Sequence, residues 1–160
     1  MRLRIYVGIY LSALVAANLL VAWLGPWFSP INAFVLIGLD LSLRDKLHDA
    51  WQGKGLAWRI GGLIGTAGAI SYLLNPAAGM IAIASVSAFC AAMAADSIVY
   101  QALRRFSWFT RVNGSNTAGA IVDSIIFPTV AFGAFVPERV AMQFAAKIAG
   151  GAAWSFLLRK

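Results

Sequence analysis

Asp123 and Lys147 are the residues whose types and setting point most directly to chemistry. Each interrupts a long apolar run, 117–136 for the acid and 138–158 for the base. A charge at bilayer depth costs about 2.5–3.5 kcal/mol on insertion scales, so such groups are rare and face a bundle interior or a cavity. Opposite charges on consecutive apolar segments admit two readings: an ion pair that locks two helices, or a polar site for a solute. At 100° per residue, Asn116, Gly119, Asp123 and Phe127 fall within about 80° of one another. An amide, a gap and an aromatic ring then share a face with the carboxylate. Gln143, Lys147, Gly150, Gly151 and Trp154 make a similar face, and Ser85, Phe89, Ala92, Asp96 and Tyr100 another. Asp40, with Arg44 one turn later, and Asn18 complete the candidates. Asp40–Arg44 also reads as a local pair near the membrane surface, and Asn18 as a contact between helices.

Other chemistries find no footing. His48 stands in a charged stretch with no second histidine and no cysteine nearby, which is surface and not a metal site. Cys90 is the only cysteine and lies in an apolar run, so it forms no internal disulfide and reads as a small packing residue. No Ser–His pairing occurs in the apolar segments, and no glycine cluster ends in the Gly-Lys-Ser/Thr of a nucleotide loop. No enzyme, metal or cofactor is expected.

The elements that must position these groups follow from composition. Of 160 residues, 61% are hydrophobic and 12% charged; a soluble domain carries about 25% charged residues, so this is an integral membrane protein. The net charge of +7 sits in short clusters between apolar runs, which argues against nucleic acid. A span needs about 20 apolar residues. The candidates are Ile5–Leu24, Pro30 to about Ala50, Leu56–Leu74, Ala77 to about Leu103, Thr117–Val136 and Glu138–Leu158. Turn signals separate them at Gly25-Pro26, Gly53-Lys-Gly55, Asn75-Pro76 and Val136-Pro137. The first run imitates a signal peptide but is too long for one and reads as an uncleaved helix.

Arg2, Arg4, Arg44, Lys46, Lys54, Arg59, Arg104, Arg105, Arg111, Arg159 and Lys160 fall on one side, and only Arg139 on the other. The positive-inside rule then puts both termini in the cytoplasm. The expected fold is all-α and integral to the membrane: residues 1–160 as a single domain, one six-transmembrane-helix bundle, in the plasma (inner) membrane. Trp23, Trp27, Trp51, Trp58 and Trp108 read as an interfacial belt. Gly61, Gly62, Gly65, Gly68, Gly150 and Gly151 read as close helix packing. At 1.5 Å per residue, Asp123 and Lys147 lie within roughly 5 Å of the midplane and Asp96 roughly 8 Å towards the cytoplasm, heights compatible with one cavity.

The stretch Ser115-Asn-Thr-Ala-Gly-Ala-Ile-Val-Asp-Ser-Ile-Ile-Phe127, followed by Ala131-Phe132, resembles the signature of the queuosine-precursor transporter family, the vitamin-uptake-transporter-like (VUT) family. Ser115, Gly119, Asp123, Phe127, Ala131 and Phe132 match its pattern. Leu39-Asp-Leu-Ser-Leu-Arg44 resembles a second family segment, and Asp96, Lys147 and Asn18 match an acid, a lysine and an asparagine in the fourth, last and first spans. Ser124 departs from the usual threonine, and Pro128 follows the phenylalanine. The resemblance implies a bundle similar to the substrate-binding subunits of energy-coupling-factor (ECF) importers. It also implies import of a 7-deazaguanine base (7-cyano-7-deazaguanine, its aminomethyl relative or queuine) for tRNA modification. Asn18, Asp40, Phe89, Asp96, Asn116, Asp123, Phe127 and Lys147 are then the expected substrate-binding residues. A carboxylate would accept from the guanine-like N1–H and amine, a donor such as Lys147, Asn116 or Gln143 would meet the carbonyl, and Phe89 or Phe127 would stack on the ring. The expected partners are a small deazapurine and the lipid bilayer, with a homo-oligomer or an ECF-type partner left open and no nucleic acid. Two other functions stay in view: the binding subunit of an ECF-type vitamin importer, docking through Ala13-Leu-Val-Ala-Ala17, and a non-transporting membrane scaffold.

Overall fold

Apolar runs of this length fold as helices because backbone in lipid must satisfy its own hydrogen bonds, which a helix does within one segment. A computed structural model of the chain describes the backbone of residues 2–51 and 55–158, with side chains throughout except at Arg2, Asp45, His48, Asp49, Leu56, Trp108, Phe109, Arg111 and Val112. The expected turn at Gly53-Lys-Gly55, the charges at Lys54, Arg159 and Lys160, and the side chains of Arg2, His48, Trp108 and Arg111 lie outside the described residues. Among the described residues there is no strand. The helices are α1 (Arg2–Leu24), α2 (Ser29–Asn32), a π-helix (Ala33–Ile37), α3 (Gly38–Trp51), α4 (Leu56–Leu74), α5 (Gly79–Ala102), α6 (Trp108–Phe132) and α7 (Pro137–Leu157). α2, the π-helix and α3 follow without a break as one rod over 29–51.

Among the described residues, three helical stretches are long and apolar enough to cross a membrane: Leu3–Leu24, Pro26–Arg44 and Pro76–Arg105. In α6 and α7, polar groups lower the apolarity, and several of them, Ser115, Ser124, Gln143 and Lys147, are buried. Buried polar residues include Asn18, Ser29, Asn32, Asp40, Gln143 and Lys147, while Trp23, Trp58, Leu73, Ile83, Ile98 and Phe156 are exposed. That is the inverse of a water-soluble surface, and it suits a bundle solvated by lipid.

Helix ends follow capping chemistry more closely than apolarity. α6 starts at Trp108, not at Thr117 as the apolar run suggests, because Ser107 caps it: its hydroxyl accepts the Thr110 N–H at 3.2 Å. It stops at Phe132, before Val136, where Gly133 turns left-handed at φ 71°. The depth inferred from a 117–136 span therefore does not carry over, and the height of Asp123 is set by what it touches.

The helices close into a ring. α1 packs on α4, α4 on α5, α5 on α6, α6 on α7, α7 on the π-helix and α3, and α3 back on α1. α7 and the 29–51 rod run parallel, since Gln143 meets Ser29 while Ser155 meets Ser42. The two backbones cross so closely at Gly38 and Gly150 that a Cβ on Gly38 would lie 2.6 Å from the Gly150 carbonyl carbon. Gly119 serves α5 and α6 similarly, with the Ala92 carbonyl oxygen 3.3 Å from where its Cβ would be. Small residues at helix contacts let van der Waals packing substitute for the missing hydrophobic drive in lipid. One apolar core, formed by Tyr10, Leu14, Leu43, Leu47, Ile60, Ile64, Ala67 and Phe89, ties α1, α3, α4 and α5 together.

Candidate functional site

The ring brings the intramembrane charges to one interior. Lys147 on α7 is buried, with 4% of its side chain exposed, and its Nζ donates to the Asp123 carboxylate on α6. A second donation goes to Ser124 Oγ at 3.3 Å. Adjacent residues Asp123 and Ser124 thus both reach the ammonium. Pro128 sits one turn further on and has no N–H to offer the Ser124 carbonyl.

Asp40 and Arg44 face the same interior from α3. One Asp40 oxygen takes the Arg44 guanidinium at 2.7 Å, and Asp40 is 2% exposed. The pair is local in sequence, as its spacing suggests, with Asp40 buried and the Arg44 side chain 28% exposed at the end of the apolar stretch Pro26–Arg44. The Arg44 guanidinium lies 5.4 Å from the centre of the Phe89 ring, a cation–π distance, and it also feels the charge of Asp123. The two ion pairs Asp40–Arg44 and Asp123–Lys147 each cancel in formal charge, and Asp96 is a third acid near them.

Hydrogen-bonding capacity is left over. Asp40 Oδ1 and Arg44 Nε are buried outside hydrogen-bond geometry, and the Tyr10 hydroxyl lies beside both side chains and interacts with each. Buried polar atoms are nearly always bonded, and leaving one orphaned costs about 1–3 kcal/mol. An acceptor, a donor and a hydroxyl that can act either way are thus gathered beside a flat aromatic ring.

The remaining expected residues divide. Phe89 is in place beneath Arg44. Asn18 is engaged at both ends, donating to Ser71 Oγ at 3.2 Å and accepting from Ser85 Oγ at 2.9 Å, so it ties α1, α4 and α5 together. Asp96 lies against Gly119 on the α5–α6 seam, and its Oδ1 is buried without a partner. Asn116 is exposed. Phe127 packs edge-on against Phe132, 6.2 Å between centres, and Phe132 lies under Arg139. The common face drawn for Asn116, Gly119, Asp123 and Phe127 thus splits between the exposed surface, the α5 seam, the ion pair and an aromatic contact. Trp154 donates to the Val35 carbonyl at 2.8 Å, inside the π-helix. Ala13 and Ala17 are buried, while Ala16 with Ser12 lines an outward groove between α1 and α4.

Tyr10, Ser29 and Asn32 went unnoticed in the sequence. A tyrosine in an apolar run reads as packing, Ser29 stands just before the expected span from Pro30, and Asn32 lies among that span's first residues. Only their joint burial reveals them. No curated protein and no solved structure matches the chain. The family model described as "Putative vitamin uptake transporter" matches residues 2–158. Nearly the whole chain is covered, the charged interior included, and the protein belongs to that family of membrane transporters.

Proposed function

We propose that the chain is a six-span importer of a 7-deazaguanine-type base in the plasma membrane, with both termini cytoplasmic, supplying a precursor for tRNA modification. The observation that carries this reading is the pair of charge-balanced ion pairs, Asp40–Arg44 and Asp123–Lys147, with buried Asp40 Oδ1 and Arg44 Nε outside hydrogen-bond geometry beside Phe89. Balanced charge favours a neutral solute, because a charged one would leave an uncompensated ion in a low-dielectric interior. A guanine-like edge suits these groups. Its N1–H and amine are donors for a carboxylate, its carbonyl takes a donor such as Lys147 or Arg44 Nε, and its ring lies against Phe89. Asp123 already holds Lys147, so the base competes with the ammonium, and Ser124 retains a bond to Lys147 as it yields. Membership of a vitamin-uptake family supports transport; the motif resemblance supports the deazaguanine class.

The test is uptake of 7-cyano-7-deazaguanine by cells unable to make it. Asp123→Asn removes the anion and should abolish uptake while the protein still inserts. Wild-type uptake by that variant would overturn the reading. A second reading, the binding subunit of an ECF-type importer, is favoured by the open groove at Ser12, Ala16 and Ile70. Uptake into liposomes holding only this protein would eliminate it. Reporter fusions at the C-terminus test the orientation, with an active periplasmic reporter contradicting it.

A further inference from the structure

Successive helices alternate in direction, so one end of the bundle gathers the start of α1, the end of α3, the start of α4, the end of α5 and the start of α6. Arg4, Arg59, Arg104 and Arg105 are all exposed there. The turn from α5 to α6 carries two of them side by side. Leu103–Arg105 forms one 3-10 turn, closed by the Phe106 N–H donating to the Leu103 carbonyl at 2.9 Å. Leu103 turns inward: its Cδ1 lies 2.6 Å from where a Cβ on Gly114 of α6 would be. Arg104, Arg105 and Phe106 are left on the outside, with Phe106 60% exposed. Ser107 fixes the far side of the turn by capping α6. No Asp or Glu occurs within 97–116, and α3, which carries Asp45 and Asp49, packs on α1, α4 and α7. Among the described residues neither arginine has an acid partner.

We propose that the turn over residues 103–107 binds the phosphodiester headgroup of an anionic phospholipid, which clamps the α5–α6 hairpin to the membrane surface. The proposal depends on the chain spanning a membrane and not on which solute it carries. Two adjacent guanidiniums offer forked N–H donors, the geometry that phosphate oxygens accept in pairs. An exposed phenylalanine beside them is unfavourable against water but suits the boundary between headgroups and acyl chains. That ring separates the two sources of phosphate: a free phosphate ion gains nothing from it, whereas a lipid covers it. The opposite end of the bundle lacks the combination, since its one cation, Arg139, follows Glu138 and lies over the Phe132 ring. Attraction to an anionic leaflet raises affinity about fivefold per arginine, so the two together give about thirtyfold.

The experiment is binding of a fluorophore-labelled phosphatidylglycerol to the full chain in neutral detergent, with displacement by unlabelled phosphatidylglycerol, phosphatidylcholine or inorganic phosphate. Wild type should prefer phosphatidylglycerol to phosphatidylcholine by about thirtyfold. The double variant Arg104→Gln with Arg105→Gln should bring the two lipids close to parity, while lysine at both positions should keep most of the preference. Phe106→Ala should weaken both lipids together. Arg4→Gln, at the same end of the bundle, should cost no more than about fivefold. All these side chains are exposed, so the variants should melt with wild type, and a lost preference then reports binding and not folding. Equal binding of the two lipids by wild type would overturn the proposal, as would an unchanged preference in the double glutamine variant. A loss in Arg4→Gln as large as in the double variant would show diffuse attraction in place of a site. Displacement by inorganic phosphate at the same concentration as the lipid would show a site for a soluble anion, which also overturns it.

Discussion

Replacing Gly150 by alanine tests whether the crossing of α7 over the π-helix holds the interior in register. A Cβ there would lie 2.8 Å from the Phe34 carbonyl carbon and 2.9 Å from its Cα, with the carbonyl oxygen closer still. All three are backbone atoms and cannot rotate away. Ordinary contact begins at 3.4 Å, so the rods must part by at least about 0.6 Å. Parting strains the Trp154–Val35 bond at 2.8 Å and the Ser42–Gly151 bond at 3.2 Å. Overpacking costs about 1–3 kcal/mol and each weakened hydrogen bond about 0.5–1.5 kcal/mol. A total of about 2–6 kcal/mol follows, or a fall in melting temperature of roughly 4–24 °C for a chain of this length. Gly65→Ala is the matched control, because nothing lies within 4 Å of its Cβ position, and alanine favours helix there. The assay is thermal unfolding of both variants in detergent, followed by tryptophan fluorescence. Equal melting temperatures for Gly150→Ala and Gly65→Ala would refute the reasoning.

Arg44→Met leaves Asp40 buried without its counter-charge and should cost about 3–5 kcal/mol; adding Asp40→Asn should recover much of it, and a single variant as stable as the double would show the pair to be solvated. Asn18→Leu strips partners from Ser71 and Ser85 and should cost about 1–2 kcal/mol in melting with an unchanged uptake KM; a raised KM would return Asn18 to the binding site. Trp154→Phe removes the indole donor to the Val35 carbonyl, which keeps the Gly38 N–H, and should destabilise by about 0.6 kcal/mol, the average measured for hydrogen bonds between membrane helices; an unchanged melting temperature would make that bond dispensable.

Much of the scaffold was legible because lipid imposes simple rules. Runs such as Leu56–Leu74 end where the helix ends, and the pairing of Asp123 with Lys147 follows from two opposite charges that neither apolar segment can tolerate alone. Spacing along one helix gives the angle between residues, but not which arc faces inward. Asn116 shows the difference: it shares an arc with Asp123 by arithmetic, yet it is exposed while Gly119 is held against Ala92 by α5. The order of helices around the ring decides this, and it depends on contacts between segments far apart in sequence. Tyr10 and Asn32 were hidden for the same reason. Neither residue type is costly enough in a membrane to draw notice until neighbours are seen to enclose it.

The π-helix has a consequence for how the chain tolerates changes in length. Asn32 and Asp40 are eight residues apart, which in a regular α-helix rotates one about 80° away from the other. A single π-turn absorbs one extra residue, so the offset becomes that of seven, about 20° the other way. The amide and the carboxylate then fall on one inward stripe. Deleting one residue within 33–37 would remove the bulge and keep both groups on that stripe. Deleting one between Gly38 and Asp40 would leave the bulge in place and swing Asp40 and Arg44 by about 100° into the wall of the ring. Single-residue gaps among relatives should therefore collect in this one five-residue window and be absent on either side of it.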